Sequence, residues 1–191
     1  PIIFVQNEHA PLTFTPFPIQ SEDPIWNTNA ATIADFDGDG HLDIFIGNYF
    51  PDNKQIYNVK NNESLTMMSS MAFAQNGGKN RILLWQKPTN GKKVSFKEIF
   101  PFDPNEAQSW TLAVGAVDLN GDLLPELYIG NDFGHDILYK NISTPGNVKF
   151  ERLNGKRDFF TPKSKTLGHD SFKGMGVDFA DLNGDGLFDI F

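Results

Sequence analysis

The chain has 191 residues, no cysteine and a formal charge of −8. The missing cysteines exclude disulfides and thiolate metal sites. The acidic balance argues against a nucleic-acid surface, and no apolar run is long enough to cross a bilayer as a helix. Eighteen Phe, seventeen Gly and twelve Pro point to many short strands joined by turns.

In chain order, Ile2-Ile-Phe-Val-Gln6 reads as a strand, followed by a run centred on Phe, Leu12-Thr-Phe14. A small-residue stretch, Ala30 to Ala34, then leads into an acidic loop, Asp35-Phe-Asp-Gly-Asp-Gly-His-Leu-Asp43, which runs on as Ile-Phe-Ile-Gly-Asn48. Beyond a long segment, Tyr49 to Lys79, the same succession returns: Ile82 to Gln86, Val94-Ser-Phe96, Ala113 to Val117 and the loop Asp118 to Glu126. It returns again as Ile137 to Lys140, Val148-Lys-Phe150, Gly176 to Ala180 and the loop Asp181 to Asp189. Gly, Pro or Asn separates the paired runs, as hairpin turns require.

One unit is therefore four strands: A (small residues), B (after the Asp loop), C (Ile/Leu/Tyr) and D (Phe). The chain reads C-D, A-B-C-D, A-B-C-D, A-B. Residues 1–17 form C-D of one unit and 30–99 a full unit with an insertion at 49–79. Residues 113–153 form a second full unit, and 174–191 form A-B of the next. The expected fold is an all-β propeller of four-stranded antiparallel blades, this chain covering parts of four as an interior piece of a ring. A generic β-sandwich is the alternative, but it would not need one loop three times. A nonapeptide β-helix would repeat every nine residues or so.

The loops have the chemistry of a hard cation site. Calcium takes six to eight oxygens, and alternate positions of a tight loop converge on one point. The candidate ligands are Asp35, Asp37, Asp39, Asp43 and the carbonyl of His41 in the first loop. They are Asp118, Asn120, Asp122, Glu126 and the carbonyl of Leu124 in the second, and Asp181, Asn183, Asp185, Asp189 and the carbonyl of Leu187 in the third. With no His or Cys side chain in the set, Ca²⁺ is favoured over zinc or copper. Gly40 and Gly186 stand where a positive φ is expected; Leu123 replaces that glycine in the second loop, and Pro125 follows it. Two to three ions are expected, and three would bring the net charge to about −2. An EF-hand is excluded because its twelfth position, a bidentate Glu, is here Ile46 or Ile129. Metal-free Asx-turns are the alternative for a single loop.

The pattern D-x-[DN]-G-D-G-x-x-D, running into an apolar strand that ends in Gly-Asn, resembles FG-GAP (VCBS) repeats, the blades of integrin α-subunit propellers and of many secreted bacterial proteins. The resemblance implies a seven-bladed propeller when complete, calcium in the A–B loops and an extracytoplasmic setting: secreted, periplasmic or on the cell surface. It implies structural calcium in a module for adhesion, assembly or recognition. FG-GAP-like repeats also accompany secreted hydrolases and lyases, so the alternative is an accessory or platform propeller whose catalytic residues lie outside this chain. No common catalytic motif is present, and the chain itself is expected to be non-enzymatic.

Strand parity puts the segments 49–79 and 154–173 on the face opposite the Asp loops, which is where a protein or glycan partner is expected. The first contains Ser64 to Phe73, expected as a short helix capped by Asn62 or Ser64; the second carries Lys156, Arg157, Lys163, Lys165 and Lys173. Trp26 and Trp110 read as core. His9, His41, His135 and His169 read as scattered surface or turn residues. Asn62 and Asn141 lie in N-x-Ser sequons too short to carry an argument.

Overall fold

The structure is a computed structural model and describes residues 2–21, 23, 25–56, 67–104, 106–169 and 173–191. Among the described residues twelve strands form four antiparallel sheets, each built from strands that are neighbours in sequence. The first is the hairpin β1 (Ile2–Asn7) and β2 (Ala10–Pro18). The second is four-stranded: β3 (Asn27–Ala34), β4 (Asp43–Phe50), β5 (Arg81–Trp85) and β6 (Phe96–Ile99). The third repeats it with β7 (Trp110–Val117), β8 (Glu126–Phe133), β9 (Ile137–Asn141) and β10 (Phe150–Leu153). The last is the short pair β11 (Phe179–Ala180) and β12 (Asp189–Ile190). Among the described residues the one helical element is a single 3₁₀ turn, Lys163–Lys165.

The two full sheets share one register. Ala34 faces Asp43 and Val117 faces Glu126 across the A–B turn; Asn27 faces Phe50 and Trp110 faces Phe133 at the far end. Each A strand carries the same irregularity, between Thr28 and Ala30 and between Thr111 and Ala113. Ile44 faces Leu83 as Leu127 faces Tyr139. Both units are therefore the same four-stranded antiparallel blade. The D strands start later than the Phe runs suggest. Phe96 pairs with Trp85 and Phe150 with Asn141, the last residues of the C strands, so Val94 and Val148 belong to the approach from the turn. The helix expected over 64–73 is not formed at 67–73, which is turn and irregular chain; Asn62 and Ser64 lie outside the described residues.

The core lies between the blades. Phe36, Phe45 and Ile82 from one blade meet Leu127, Ile129, Ile137 and Tyr139 from the next, with Phe102 of the connecting segment among them. Small residues set the spacing. A Cβ added at Gly47 would lie 2.6 Å from the Thr111 methyl, and one at Gly115 would lie 2.5 Å from the Phe179 ring. β7 packs on both β3 and β4, which places the A strands side by side. Trp110 is fully buried, as expected.

A polar chain, buried from Asn48 onward, also crosses from blade to blade. Thr28 Oγ1 donates to Asn48 Oδ1 (2.8 Å), and the Asn48 N–H donates to Asn80 Oδ1 (3.0 Å). Asn80 Nδ2 then donates to Thr111 Oγ1 (2.8 Å), and Thr111 Oγ1 to Asn131 Oδ1 (2.8 Å). The Asn131 N–H completes the chain to Asp136 Oδ1 (2.6 Å). Asn48 and Asn131 are the Asn of the two Gly-Asn strand ends, so that dipeptide marks the junction where strands B and C and the next blade meet. Buried polar groups need such partners, because leaving one unmade costs its full desolvation.

Candidate functional site

The three Asp loops fold alike. The first carboxylate caps the turn. Asp35 Oδ1 accepts the N–H of Gly38 (2.8 Å) and of Asp39 (3.1 Å), and its Oδ2 accepts that of Gly40 (2.8 Å). Asp118 takes the N–H groups of Gly121 (2.7 Å) and Leu123 (2.9 Å), and Asp181 those of Gly184 (2.6 Å) and Gly186 (2.9 Å). These bonds need two positive φ values per loop, supplied by Gly38 and Gly40, Gly121 and Leu123, and Gly184 and Gly186. Leu123 takes the conformation at φ 72° although it is not glycine, so the departure in the second loop leaves the backbone path unchanged.

The third and fifth positions each accept the N–H group two residues on. Asp37, Asn120 and Asn183 hold Asp39, Asp122 and Asp185. Asp39, Asp122 and Asp185 in turn hold His41, Leu124 and Leu187. His41 is fixed further: its ring stacks on Trp85 at 3.6 Å, and Nδ1 lies 3.2 Å from Asp39 Oδ1.

The ninth position joins the loop to the blade. Asp43 is fully buried; its Oδ2 accepts the Phe36 N–H (3.0 Å) and its Oδ1 the Trp85 N–H at the end of strand C (2.7 Å). Glu126 does the same with Leu119 (2.8 Å) and Asn141 (3.4 Å), and it also accepts Asn120 Nδ2 (2.8 Å). Asp189 accepts the Leu182 N–H (2.9 Å).

The first loop also reaches the next blade. Asp37, 1 % exposed, accepts the Gly146 N–H of the β9–β10 turn (2.7 Å). Asn141 Nδ2 donates both to the Phe36 carbonyl (2.9 Å) and to the Pro125 carbonyl (3.1 Å), bridging the first and second loops. Nothing in the sequence signals either contact. Asn141 reads there as a sequon, yet its amide is buried and committed to these bonds.

Carboxylate oxygens of Asp35, Asp37 and Asp39 all lie within 4.8 Å of one another. Two ligands on opposite sides of a calcium ion, each about 2.4 Å away, are separated by that distance. The donor set is hard oxygen throughout, so these residues fit the ion. Electrostatics agree. Burial pushes the Asp43 carboxyl up to about 6 against the N–H groups of Trp85 and Phe36, and the charges of Asp37 and Asp35 push the same way. A divalent cation would relieve that crowding. The third loop is open to solvent. There the N–H of Gly186 leads the backbone groups that hold Asp181 below the usual carboxylate range.

The opposite face has its own buried charge, which the sequence does not reveal. Arg81 is fully buried; Nη2 meets Asp52 Oδ2 at 2.6 Å and Nη1 meets Glu98 Oε1 at 2.7 Å. Its guanidinium carbon lies 4.4 Å from the Trp26 ring centre and 5.4 Å from that of Phe100. Trp26 is thus half-buried under a cation rather than sealed in the core. Beside this group opens a cavity of about 530 Å³ lined by Gln20, Ser21, Asp23, Lys79, Glu98 and Phe100. His135 and His169, far apart in sequence, are neighbours, with ring centres 6.1 Å apart.

Four-stranded antiparallel sheets in sequential order, packed face to face with small residues on the inner strands, are the blades of a β-propeller. The FG-GAP repeat profile matches residues 27–63, so the chain carries an FG-GAP repeat across β3, the first Asp loop and β4. Among curated proteins no sequence matches this one.

Proposed function

We propose that this chain is the calcium-pinned part of an extracytoplasmic β-propeller. Its Asp loops are structural, and its opposite face recognises a protein or glycan. Calcium would be held by Asp35, Asp37, Asp39, Asp43 and the His41 carbonyl in the first loop, and by the equivalent residues of the second and third. It would supply charge neutralisation and fix the A–B turn; the chain carries out no chemistry of its own. The observation that carries this reading is the convergence of the Asp35, Asp37 and Asp39 oxygens in a loop bonded to the neighbouring blade through Gly146 and Asn141. Such a loop transmits whatever orders it to the blade interface.

Two further points support the reading. Extracellular calcium modules bind at about 10⁻⁴–10⁻³ M, a range met outside cells and not in the cytosol. The cavity beside Arg81 combines carboxylates, an amide, a hydroxyl and an aromatic ring, the groups that pair with sugar hydroxyls and stack on sugar rings. Calorimetric titration of the metal-free protein with Ca²⁺ tests the site. Two to three equivalents are expected, falling by one in Asp39→Ala and by one in Asp185→Ala. Heats no larger than those of buffer dilution would sink the calcium reading. Replacing the segment 49–79 by a short turn without loss of partner binding would sink the assignment of the face.

A further inference from the structure

The segment between β10 and β11 is a closed loop with an aromatic tip. Its base is pinned twice: the Gly155 N–H donates to the Leu167 carbonyl (2.8 Å), and Arg152 Nη2 donates to the Gly168 carbonyl (2.7 Å). Its tip is a built turn. Asp158 Oδ1 accepts the N–H groups of Phe160 (2.9 Å) and Thr161 (2.6 Å) and the Thr161 hydroxyl (2.7 Å), while Arg157 Nε donates to the Thr161 carbonyl (2.9 Å). That turn presents Phe159 and Phe160 outward, 94 % and 89 % exposed, with rings edge to face at 5.5 Å. Phe36, Phe45 and Phe102 are buried between the blades, whereas an ordered turn holds these two almost wholly in water.

The surroundings of the pair are cationic. Lys156, Arg157, Lys163 and Lys165 are all exposed, and the single carboxylate among them, Asp158, is occupied by the turn. Lys163 also lies over Phe73 of the other long segment, Nζ to ring centre 5.2 Å, so this loop and the 67–79 stretch form one surface. The acidic loops do not cancel this charge. They sit at the other end of strands eight residues long, about 26 Å away, roughly three Debye lengths at physiological salt.

We propose that the loop 154–169 docks on an anionic lipid surface. Phe159 and Phe160 enter the headgroup boundary, and Lys156, Arg157, Lys163 and Lys165 lie against the lipid phosphates and carboxylates. Paired exposed aromatics on a loop that also exposes four Lys and Arg side chains are what an interfacial contact needs: apolar area for the boundary and charge for the headgroups. An apolar groove on a protein would accept the Phe pair without needing four cations around it. This inference goes beyond the recognition role above and does not depend on calcium.

The test is co-sedimentation of the chain with phosphatidylcholine vesicles, with and without about one third phosphatidylserine, in chelator so that calcium cannot bridge. Binding is expected to the anionic vesicles alone, to weaken as salt is raised, and to fall about tenfold or more in Phe159→Ala/Phe160→Ala. It should fall comparably in Lys156→Glu/Lys165→Glu. These side chains are exposed, so the variants should unfold at the wild-type temperature, which is checked in parallel. Absence of binding to anionic vesicles would overturn the proposal and return the Phe pair to a protein partner. Equal binding to neutral vesicles, or binding undiminished in the Phe variant, would overturn it as well. None of these outcomes bears on calcium binding, which calorimetry reads separately.

Discussion

Leu123 holds a left-handed backbone at φ 72° with its side chain 87 % exposed, so the strain is offset by no burial. An L-residue there costs about 1–2 kcal/mol, against about 0.5–1 kcal/mol for the extra freedom of glycine in the unfolded chain. Leu123→Gly should therefore stabilise the protein by about 0.5–1 kcal/mol, read as a higher urea midpoint at unchanged slope. Asp43 gives a pH dependence of defined sign. Its folded-state pKa of about 6 stands above the ordinary 3.8, so between these values the folded state binds the extra proton. Calcium-free protein should accordingly lose stability as pH rises through about 6. Asp43→Asn should flatten that slope, and saturating calcium, which requires the ionised carboxylate, should reverse it. Urea midpoints in chelator and in calcium across this range are the measurement. The acidic positions were legible in the sequence because loop geometry forces ligands onto alternate residues. Asn141 was not, because its work is done on Phe36, 105 residues away, and no local spacing records that.

At the level of elements, blade spacing depends on missing side chains. Gly47→Ala would put a methyl 2.6 Å from Thr111 Cγ2 and 3.3 Å from Ala30 Cβ. Overpacking of this kind costs about 1–3 kcal/mol, measurable as a lower urea midpoint, and it should bear on the interface between the first and second full blades. Arg81→Ala should cost more, about 3–5 kcal/mol, because it strands Asp52 and Glu98 beside a void. Burial already pushes the Asp52 carboxyl upward against the pull of Arg81, so the acid has little tolerance for losing its partner. Strand order was legible because each strand type has its own residues: small for A, apolar after an Asp loop for B, Phe at the start of D. Arg81 was not, since one arginine at the head of an apolar run looks like a solvated flank. The expected helix over 64–73 rested on a cap at Asn62 or Ser64, which lie outside the described residues, and at 67–73 the chain is tied instead by Asn76, whose Nδ2 donates to the Met67 carbonyl and whose Oδ1 accepts the Ser69 N–H.

For the whole molecule, the Asp loops matter because they are not isolated turns. The first is bonded forward to the next blade by Gly146 and Asn141, and the polar chain from Thr28 to Asp136 links the same blades at the opposite end of the strands. Order imposed at a loop should therefore register in the cooperative unfolding of the protein. Thermal unfolding in excess calcium and in chelator reads this most directly. At about 10 mM free calcium and the affinities of extracellular modules, each occupied site adds about 1.4–2.7 kcal/mol, or about 3–10 °C in midpoint for a chain of this size. Structural calcium in the Asp loops predicts such a rise with calcium, absent with magnesium at the same concentration and reduced in Asp39→Ala. Identical midpoints in calcium and chelator would contradict it, leaving the Asp loops as turns held by their own backbone hydrogen bonds.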